Sequence, residues 1–184
     1  KKNLKIIDIS VEEQPTGEIG AGAGLGTSGG TLAFNVKENN WLGEGKSLEF
    51  DVQLDEESLA GNLIYTNPNY DFLGNSLNYA VSSTQNDKPN RGYENSIYSA
   101  GVNTTFEQYK DLFATLGLTA SYDDLQTEDD ASATLKKQHG TFSEITGNYG
   151  FTLDKRNRSF MPTDGSILSF SQGIPLVADK GALV

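Results

Sequence analysis

Ser47-Leu48-Glu49-Phe50-Asp51-Val52-Gln53-Leu54-Asp55 sets Leu48, Phe50, Val52 and Leu54 at every second position, with Glu49, Asp51, Gln53 and Asp55 between them. Successive side chains of a strand point to opposite faces, so this stretch has one wholly apolar and one wholly polar face. A helix would scatter both sets around its axis. The same period of two recurs on either side. Upstream, Ile19, Ala21, Ala23 and Leu25 alternate with Gly20, Gly22 and Gly24, and Leu32, Phe34 and Val36 alternate with Ala33, Asn35 and Lys37. Downstream come series from Leu59 to Tyr65, Leu77 to Val81, Tyr98 to Val102, Leu112 to Tyr122, Ile145 to Leu153 and Leu168 to Phe170. Together they predict nine strands in an all-β antiparallel sheet.

Alternation alone fits a soluble β-sandwich as well as a membrane barrel. Length favours the barrel. Leu112 to Tyr122 covers eleven positions, within the range of about 9–11 for a tilted membrane strand, whereas soluble strands cluster near about 5–6. The opposite faces carry Glu, Asp, Gln, Asn, Thr, Ser and Gly, as a polar lumen requires, and aromatic residues (Trp41, Tyr65, Tyr70, Phe106, Tyr122) lie near strand ends.

Connections add a partial asymmetry. Short ones are expected after the second and sixth strands (Gly43 to Lys46, Glu107 to Asp111) and a moderate one after the fourth (Asn67 to Asn75). Long polar loops are expected after the fifth and seventh (Thr84 to Gly92, Asp123 to Gly140). Short turns on the periplasmic side and longer loops outside characterise outer-membrane barrels. The first and third connections are also short, however, and the eighth, Asp154 to Asp164, is long. With even-numbered turns periplasmic, the chain enters from the periplasm. Lys2 to Val11 reads as a separate β segment, and Glu12 to Pro15 as a brief linker into the first strand.

Composition agrees with many tight turns: the 184 residues include 20 Gly, 8 Tyr and 9 Phe, with one Met and no Cys. Mean hydropathy is -0.46, and no apolar run approaches the ~20 residues of a membrane helix. Lys1 to Ser10 lacks the apolar core and cleavage site of a signal peptide, so the chain is expected to begin after an export signal or inside a longer protein. A net charge of -11 argues against nucleic acid as a partner, because phosphate binding needs a basic face.

Catalytic and metal chemistry find no foothold. Gly24-Leu25-Gly26-Thr27-Ser28-Gly29 matches the dinucleotide-binding spacing, but a strand rather than a helix follows it, so it reads as a hairpin turn. Asp123, Asp124, Glu128, Asp129 and Asp130 read as one solvated acidic loop, lacking the ligand order and central Gly of a calcium loop. His139, the single histidine, allows no triad or multi-His site and is expected to be exposed. Glu49, Asp51 and Asp55 share a face, but a hydrated face offers no apolar pocket to raise a carboxyl pKa. No catalytic residue, metal or cofactor is expected.

Several motifs follow one another along the chain: Val11-Glu12-Glu13 with Thr16-Gly17, Asn39-Asn40-Trp41-Leu42-Gly43, Thr66-Asn67-Pro68, and Asp154-Lys155-Arg156-Asn157 before Phe160-Met161-Pro162-Thr163-Asp164-Gly165. They resemble motifs of the BamA-type family of outer-membrane protein assembly factors. Val11-Glu12-Glu13, Thr16-Gly17 and the Gly-rich strand after them resemble that family's junction between its last POTRA domain and its first barrel strand. Asn39-Asn40-Trp41-Leu42-Gly43 with Gly45 is similar to the end of its second strand, and Thr66-Asn67-Pro68 to the end of its fourth. Asp154-Lys155-Arg156-Asn157 and Phe160-Met161-Pro162-Thr163-Asp164-Gly165 resemble the turn into its ninth strand. Asn157 stands where the family often has an aspartate beside that arginine, so the resemblance supplies no carboxylate there. The motifs fall in family order across essentially the whole chain.

The resemblance implies residues 1–14 as the end of a POTRA domain and linker, and 15–184 as the N-terminal nine strands of a transmembrane β-barrel of about sixteen. Stopping at Val184 would fall within the fifth outer loop. An open sheet leaves edges that hydrocarbon penalises, so further chain or another polypeptide is expected to complete the barrel. The implied function is insertion of β-barrel proteins into the bacterial outer membrane. In the family the first strand meets the last at a seam that opens sideways, and an incoming strand adds to the exposed edge. Glu18, Ile19, Gly20, Ala21, Gly22, Ala23 and Gly24 would form that edge. Leu48, Phe50, Val52, Leu54, Leu116 and Leu118 would face lipid. Asn67, Pro68, Asp154, Arg156, Pro162 and Gly165 are the family-motif positions. Implied partners are nascent outer-membrane β-barrel proteins, accessory assembly lipoproteins, outer-membrane lipid and the remaining barrel strands. A TamA-like or two-partner-secretion transporter, a passive porin-type channel and a secreted β-sandwich remain open alternatives.

Overall fold

The computed structural model describes residues 8–26, 29–129 and 131–179. Nine strands run in chain order: β1 (Gly17–Gly26), β2 (Gly29–Trp41), β3 (Lys46–Asp55), β4 (Ser58–Asn67), β5 (Ser76–Lys88), β6 (Tyr93–Tyr109), β7 (Leu112–Thr127), β8 (Gly140–Asp154) and β9 (Ile167–Ala178). Each pairs antiparallel with the next, giving one sheet with the order β1 to β9. Every pairing is local because each strand is joined to its neighbour by a hairpin.

Register carries the alternation from strand to strand. Ile19 lies opposite Val36, Val36 opposite Phe50, Phe50 opposite Leu63, and Leu63 opposite Val81. The row continues through Ala100 and Ala120 to Ile145. A slip of one residue would move every one of these side chains to the polar face. The apolar face is therefore continuous across the sheet, and no second layer of described residues covers it. Among the described hydrophobic residues only Ala114 and Ala131 are buried, while Leu116, Leu118 and Phe50 stay 50%, 50% and 43% exposed. A β-sandwich would bury these side chains between two sheets, and the described strands form a single sheet. On β7 the face runs from Leu112 to Tyr122. At about 3.3 Å per residue and a tilt of about 35–45°, that run gives roughly 25 Å of height, the apolar band of an outer-membrane barrel.

Five sequence-based expectations are corrected. Residues 8–16 contain no strand, so the segment from Lys2 to Val11 is not a strand in its described part; residues 1–7 lie outside the described residues. The expected loop from Thr84 to Gly92 is mostly strand, since β5 continues to Lys88 and a single 3₁₀ turn, Pro89–Arg91, precedes Gly92. Likewise Asp123 and Asp124 belong to β7, paired with Phe142 and Thr141, and are not part of the acidic loop; Asp130 lies outside the described residues. Past the apolar band both faces of a strand meet water, so polar residues continue the ladder there. The remaining connection, 128–139, holds a short helix, Ala133–Lys136, capped by Ser132, and leaves His139 exposed.

Strand extension also removes the loop asymmetry: residues 128–139 at one end of the sheet and 155–166 at the other are equally long. Finally, β9 runs well beyond Phe170 to Ala178. Thr146 faces Pro175 and Ile145 faces Val177, so Leu176 is an extra residue in the ladder. A proline, which lacks an N–H, is tolerated at such a bulge.

Candidate functional site: the β1 edge

The residues expected at the seam, Glu18 to Gly24, all lie on β1, which pairs with β2 along one side and has no described partner along the other. Its free backbone N–H and C=O groups form a template for another strand. Ile19, Ala21, Ala23 and Leu25 stand on the apolar face, opposite Val36, Phe34, Leu32 and Gly30. Gly20, Gly22 and Gly24 stand on the polar face, opposite Asn35, Ala33 and Thr31.

These glycines differ in what surrounds them. A Cβ on Gly20 would lie 2.9 Å from Asn35 Oδ1, so the Asn35 side chain would have to shift to admit it. Gly22 and Gly24 have nothing within 4 Å of the same position. Glycine at these two sites costs strand stability without relieving any contact.

The polar side chains of β2 are directed toward β3. Thr31 Oγ1 donates to Asp55 Oδ1 at 2.5 Å, Asn35 Nδ2 donates to Asp51 Oδ1 at 3.3 Å, and Lys37 Nζ lies 3.3 Å from Glu49 Oε2. Among the described residues, no side-chain hydrogen bond joins Gly20 to Gly26 with β2. The base of β1 is different. Thr16 Oγ1 donates to Glu38 Oε1, and the backbone N–H of Asn40 donates to the same oxygen at 2.7 Å. Asn39 donates to the Thr16 carbonyl from its backbone N–H at 3.2 Å and from Nδ2 at 3.0 Å, and Nδ2 reaches Glu18 Oε1 at 3.4 Å. β1 is thus clasped at its start and bare above it. Thr16-Gly17 and Asn39-Asn40 are visible in the sequence as motifs, but their 23-residue separation hides the contact between Thr16 and Asn39.

The proposed lipid-facing residues Leu48, Phe50, Val52, Leu54, Leu116 and Leu118 share the apolar face with the outer side of β1. The family-motif residues lie at the end of the sheet where β1 begins. Asn67 closes β4, and its Oδ1 accepts from the Asn69 N–H at 3.3 Å, with Pro68 between them. In that connection Asp71 Oδ1 accepts from the N–H groups of Leu73 and Asn75 at 2.9 and 3.2 Å. Partial burial works against the charge of Asp71, but these bonds and those from Gly74 and the Asn75 side chain outweigh it, holding the carboxyl below its usual value. In the connection before β9, Arg156 grips Asp154 through two bonds, Nε to Oδ1 at 2.8 Å and Nη2 to Oδ2 at 2.6 Å. The paired carboxylate keeps the guanidinium pKa above its ordinary value. Asn157 instead closes the connection, bonding Thr163 through Nδ2 to Oγ1 at 2.9 Å and through Oδ1 from the Thr163 N–H at 3.2 Å. Pro162 precedes that contact and is exposed. Gly165 has φ +97°, and a Cβ there would meet the Lys155 carbonyl at 2.2 Å, so only glycine fits.

This one-layered sheet, apolar on one face and polar on the other, can now be set beside known proteins. The family model for the Omp85 superfamily domain matches residues 40–181, from the end of β2 through β9. The chain belongs to the Omp85 superfamily. Outer membrane protein assembly factor BamA of Neorickettsia risticii (strain Illinois) is 27% identical over 165 residues, covering 87% of this chain and 22% of that protein. The crystal structure of BamA from Haemophilus ducreyi lacking POTRA domains 1–3 matches with a TM-score of 0.70 at 25% identity, covering 90% of this chain and 35% of that one. The chain therefore spans about a fifth and about a third of these two Omp85 relatives. Like them it is a bacterial outer-membrane protein, and its nine strands correspond to the N-terminal part of the Omp85 barrel.

Proposed function

We propose that the chain forms the N-terminal part of a barrel that assembles other β-barrel proteins into the bacterial outer membrane, with β1 as the edge to which a substrate strand adds. The observation that carries this reading is the bareness of β1 above its clasp. An added strand would meet alanine on one face and glycine on the other, so affinity would come from main-chain hydrogen bonds and sequence would be read loosely. That suits a partner that must accept many different nascent barrels. Glu18 to Gly24 supply the pairing groups, and the clasp from Thr16 to Glu38 and Asn39 keeps the strand attached while its upper part moves. Relatives named as BamA support assembly over a passive channel or a two-partner-secretion transporter.

In the same reading Leu48, Phe50, Val52, Leu54, Leu116 and Leu118 contact outer-membrane lipid, the remaining barrel strands complete the wall, and accessory assembly lipoproteins act with the complete protein. The test is disulfide crosslinking in the complete protein that carries this sheet. Ala21→Cys or Ala23→Cys is expected to form adducts with a cysteine in the C-terminal strand of a nascent barrel protein during assembly. Adducts at a β5 control such as Val81→Cys, and none at β1, would sink the reading.

A further inference from the structure

A groove of about 720 Å³ crosses the apolar face of the sheet from β3 to β8. Its floor is made by the small side chains of Ala100 and Ala120, which lie opposite each other on β6 and β7. Val81 and Ile145 continue that row on β5 and β8, and Leu63 and Phe50 close it on β4 and β3. The next row, toward the end where β1 finishes, is different. There Ser83, Tyr98, Tyr122 and Ser143 lie opposite one another, so four hydroxyl-bearing side chains line one rim.

The two ends of the groove differ. At β3 and β4 the rows beyond that rim stay apolar, with Val52 and Gly61 and then Leu54 and Leu59. At β7 and β8 the row beyond it is Asp124 and Thr141. Asp179 stands at the same end, its Oδ2 accepting from the Ser143 N–H at 2.8 Å. Among the described residues, neither carboxylate pairs with a lysine or arginine. Two carboxylates without a cation, at the polar end of an apolar groove, suit a ligand that carries a cation on a hydrocarbon chain.

We propose that this groove holds one acyl chain of an amine-headed phospholipid, with the ammonium beside Asp124 and Asp179 and the chain lying over Ala120, Ala100 and Val81 toward Phe50. This rests on the reading that the apolar face meets lipid. Dimensions favour a single chain over a protein segment. The floor is one row of side chains wide, about 6.6 Å for two residues of strand, narrower than the about 10–12 Å of a helix with its side chains. Five strand spacings of about 4.8 Å give a length of about 24 Å, which at a tilt of about 35–45° descends about 14–17 Å. That depth is one leaflet, half of a hydrocarbon core about 30 Å thick. The rim hydroxyls can donate to the ester carbonyls at the upper end. Charge selects the headgroup, since the carboxylates attract an ammonium and repel an anionic headgroup that lacks one.

The test is native mass spectrometry of the complete protein in detergent, offered phosphatidylethanolamine, phosphatidylglycerol and lipid A in equal amounts. One phosphatidylethanolamine is expected to be retained several-fold more than either competitor. Ala100→Leu combined with Ala120→Leu fills the floor at two exposed positions, so this variant is expected to fold normally and lose that lipid. Asp124→Asn combined with Asp179→Asn is expected to retain a lipid but lose the preference for the amine. Equal retention of the three lipids by the wild type, or a preference for lipid A, would overturn the headgroup assignment. Retention unchanged by the double leucine variant would overturn the groove as the site. A second copy of the chain, or another protein, released by that variant would show that protein fills the groove, which also overturns the proposal. The lipid face is checked separately with a fluorophore on Leu118→Cys in vesicles, expected to be quenched by phospholipid spin-labelled at the chain end. Quenching there without a retained lipid would sink the groove alone, whereas no quenching would sink the lipid face beneath it.

Discussion

The β1–β2 ladder and the β5–β6–β7 ladders have the same antiparallel geometry but are held by different means. Between β5, β6 and β7, polar side chains directly opposite one another bond in pairs: Asn78 with Asn103 at 3.0 Å, Ser82 with Ser99 at 2.7 Å, Asn86 with Asn95 at 2.9 Å, and Thr105 with Thr115 at 2.9 Å. On the other face Tyr98 meets Tyr122, and Val102 meets Leu118. Cross-strand pairs of this kind each contribute roughly 0.2–1 kcal/mol beyond the backbone. Between Gly20 and Gly26 no polar pair exists, and the glycines lower strand stability further. The middle of the sheet is therefore locked in one register, whereas the upper part of β1 is held by its main chain and a few apolar contacts. A wall needs the first kind of ladder. An edge that exchanges partners needs the second.

The largest expected effect comes from placing a charge within the locked region. Leu118→Arg is expected to destabilise the complete protein by about 2–4 kcal/mol in urea titrations from lipid vesicles, if residue 118 lies near the bilayer midplane. A loss near zero would show that this face does not meet hydrocarbon.

A pair of matched substitutions sharpens the contrast because the same chemical change should have opposite signs. In β7, a Cβ on Gly117 would lie 2.8 Å from Asn103 Cβ and 2.9 Å from the Val102 carbonyl, both belonging to β6. Gly117→Ala is expected to destabilise by about 1–3 kcal/mol through overpacking. Gly22→Ala enters open space and is expected to stabilise by about 0.5–1 kcal/mol, by lowering the conformational freedom lost on folding. Equal signs in the same titration would remove the distinction between the two ladders.

The smallest effect concerns the clasp. In the wild type, backbone amides at Gly22 to Gly26 are expected to exchange with deuterium faster than those at Gly17 to Ile19. Asn39→Ala removes the side-chain bond to the Thr16 carbonyl, a loss of about 0.5–1.5 kcal/mol. It should raise exchange at Gly17 to Ile19 toward the level of the upper strand. Unchanged protection there would assign the clasp to backbone pairing alone.

Much of this is legible in the sequence. Leu48 to Leu54 and Leu112 to Tyr122 announce their faces because strand periodicity is a local property of the chain. Gly20, Gly22 and Gly24 mark β1 as unusual for the same reason. The extents of β5, β6 and β7 were not legible. Asp87, Glu94 and Asp124 look like loop residues, yet above the apolar band water bathes both faces and polar side chains continue the ladder without cost. The second half of β9 was hidden by Gly173 and Pro175, which a bulge accommodates. The positive φ of Leu42 and Met161 had no sequence signal, since neither residue favours that conformation.

By itself the sequence determined the all-β character, the number of strands, which residues share a face, and which strand is stripped of side chains. All of these follow from the chemistry of neighbours along the chain. Tertiary structure alone decided which polar residues meet across strands, and so that β2 is tied to β3 by side chains but to β1 only at its base. It also decided that a Cβ on Gly20 would meet the Asn35 side chain, whereas one on Gly22 would enter open space. The physical reason is register: the partner of each side chain is set by how two strands align, and no single strand contains that information.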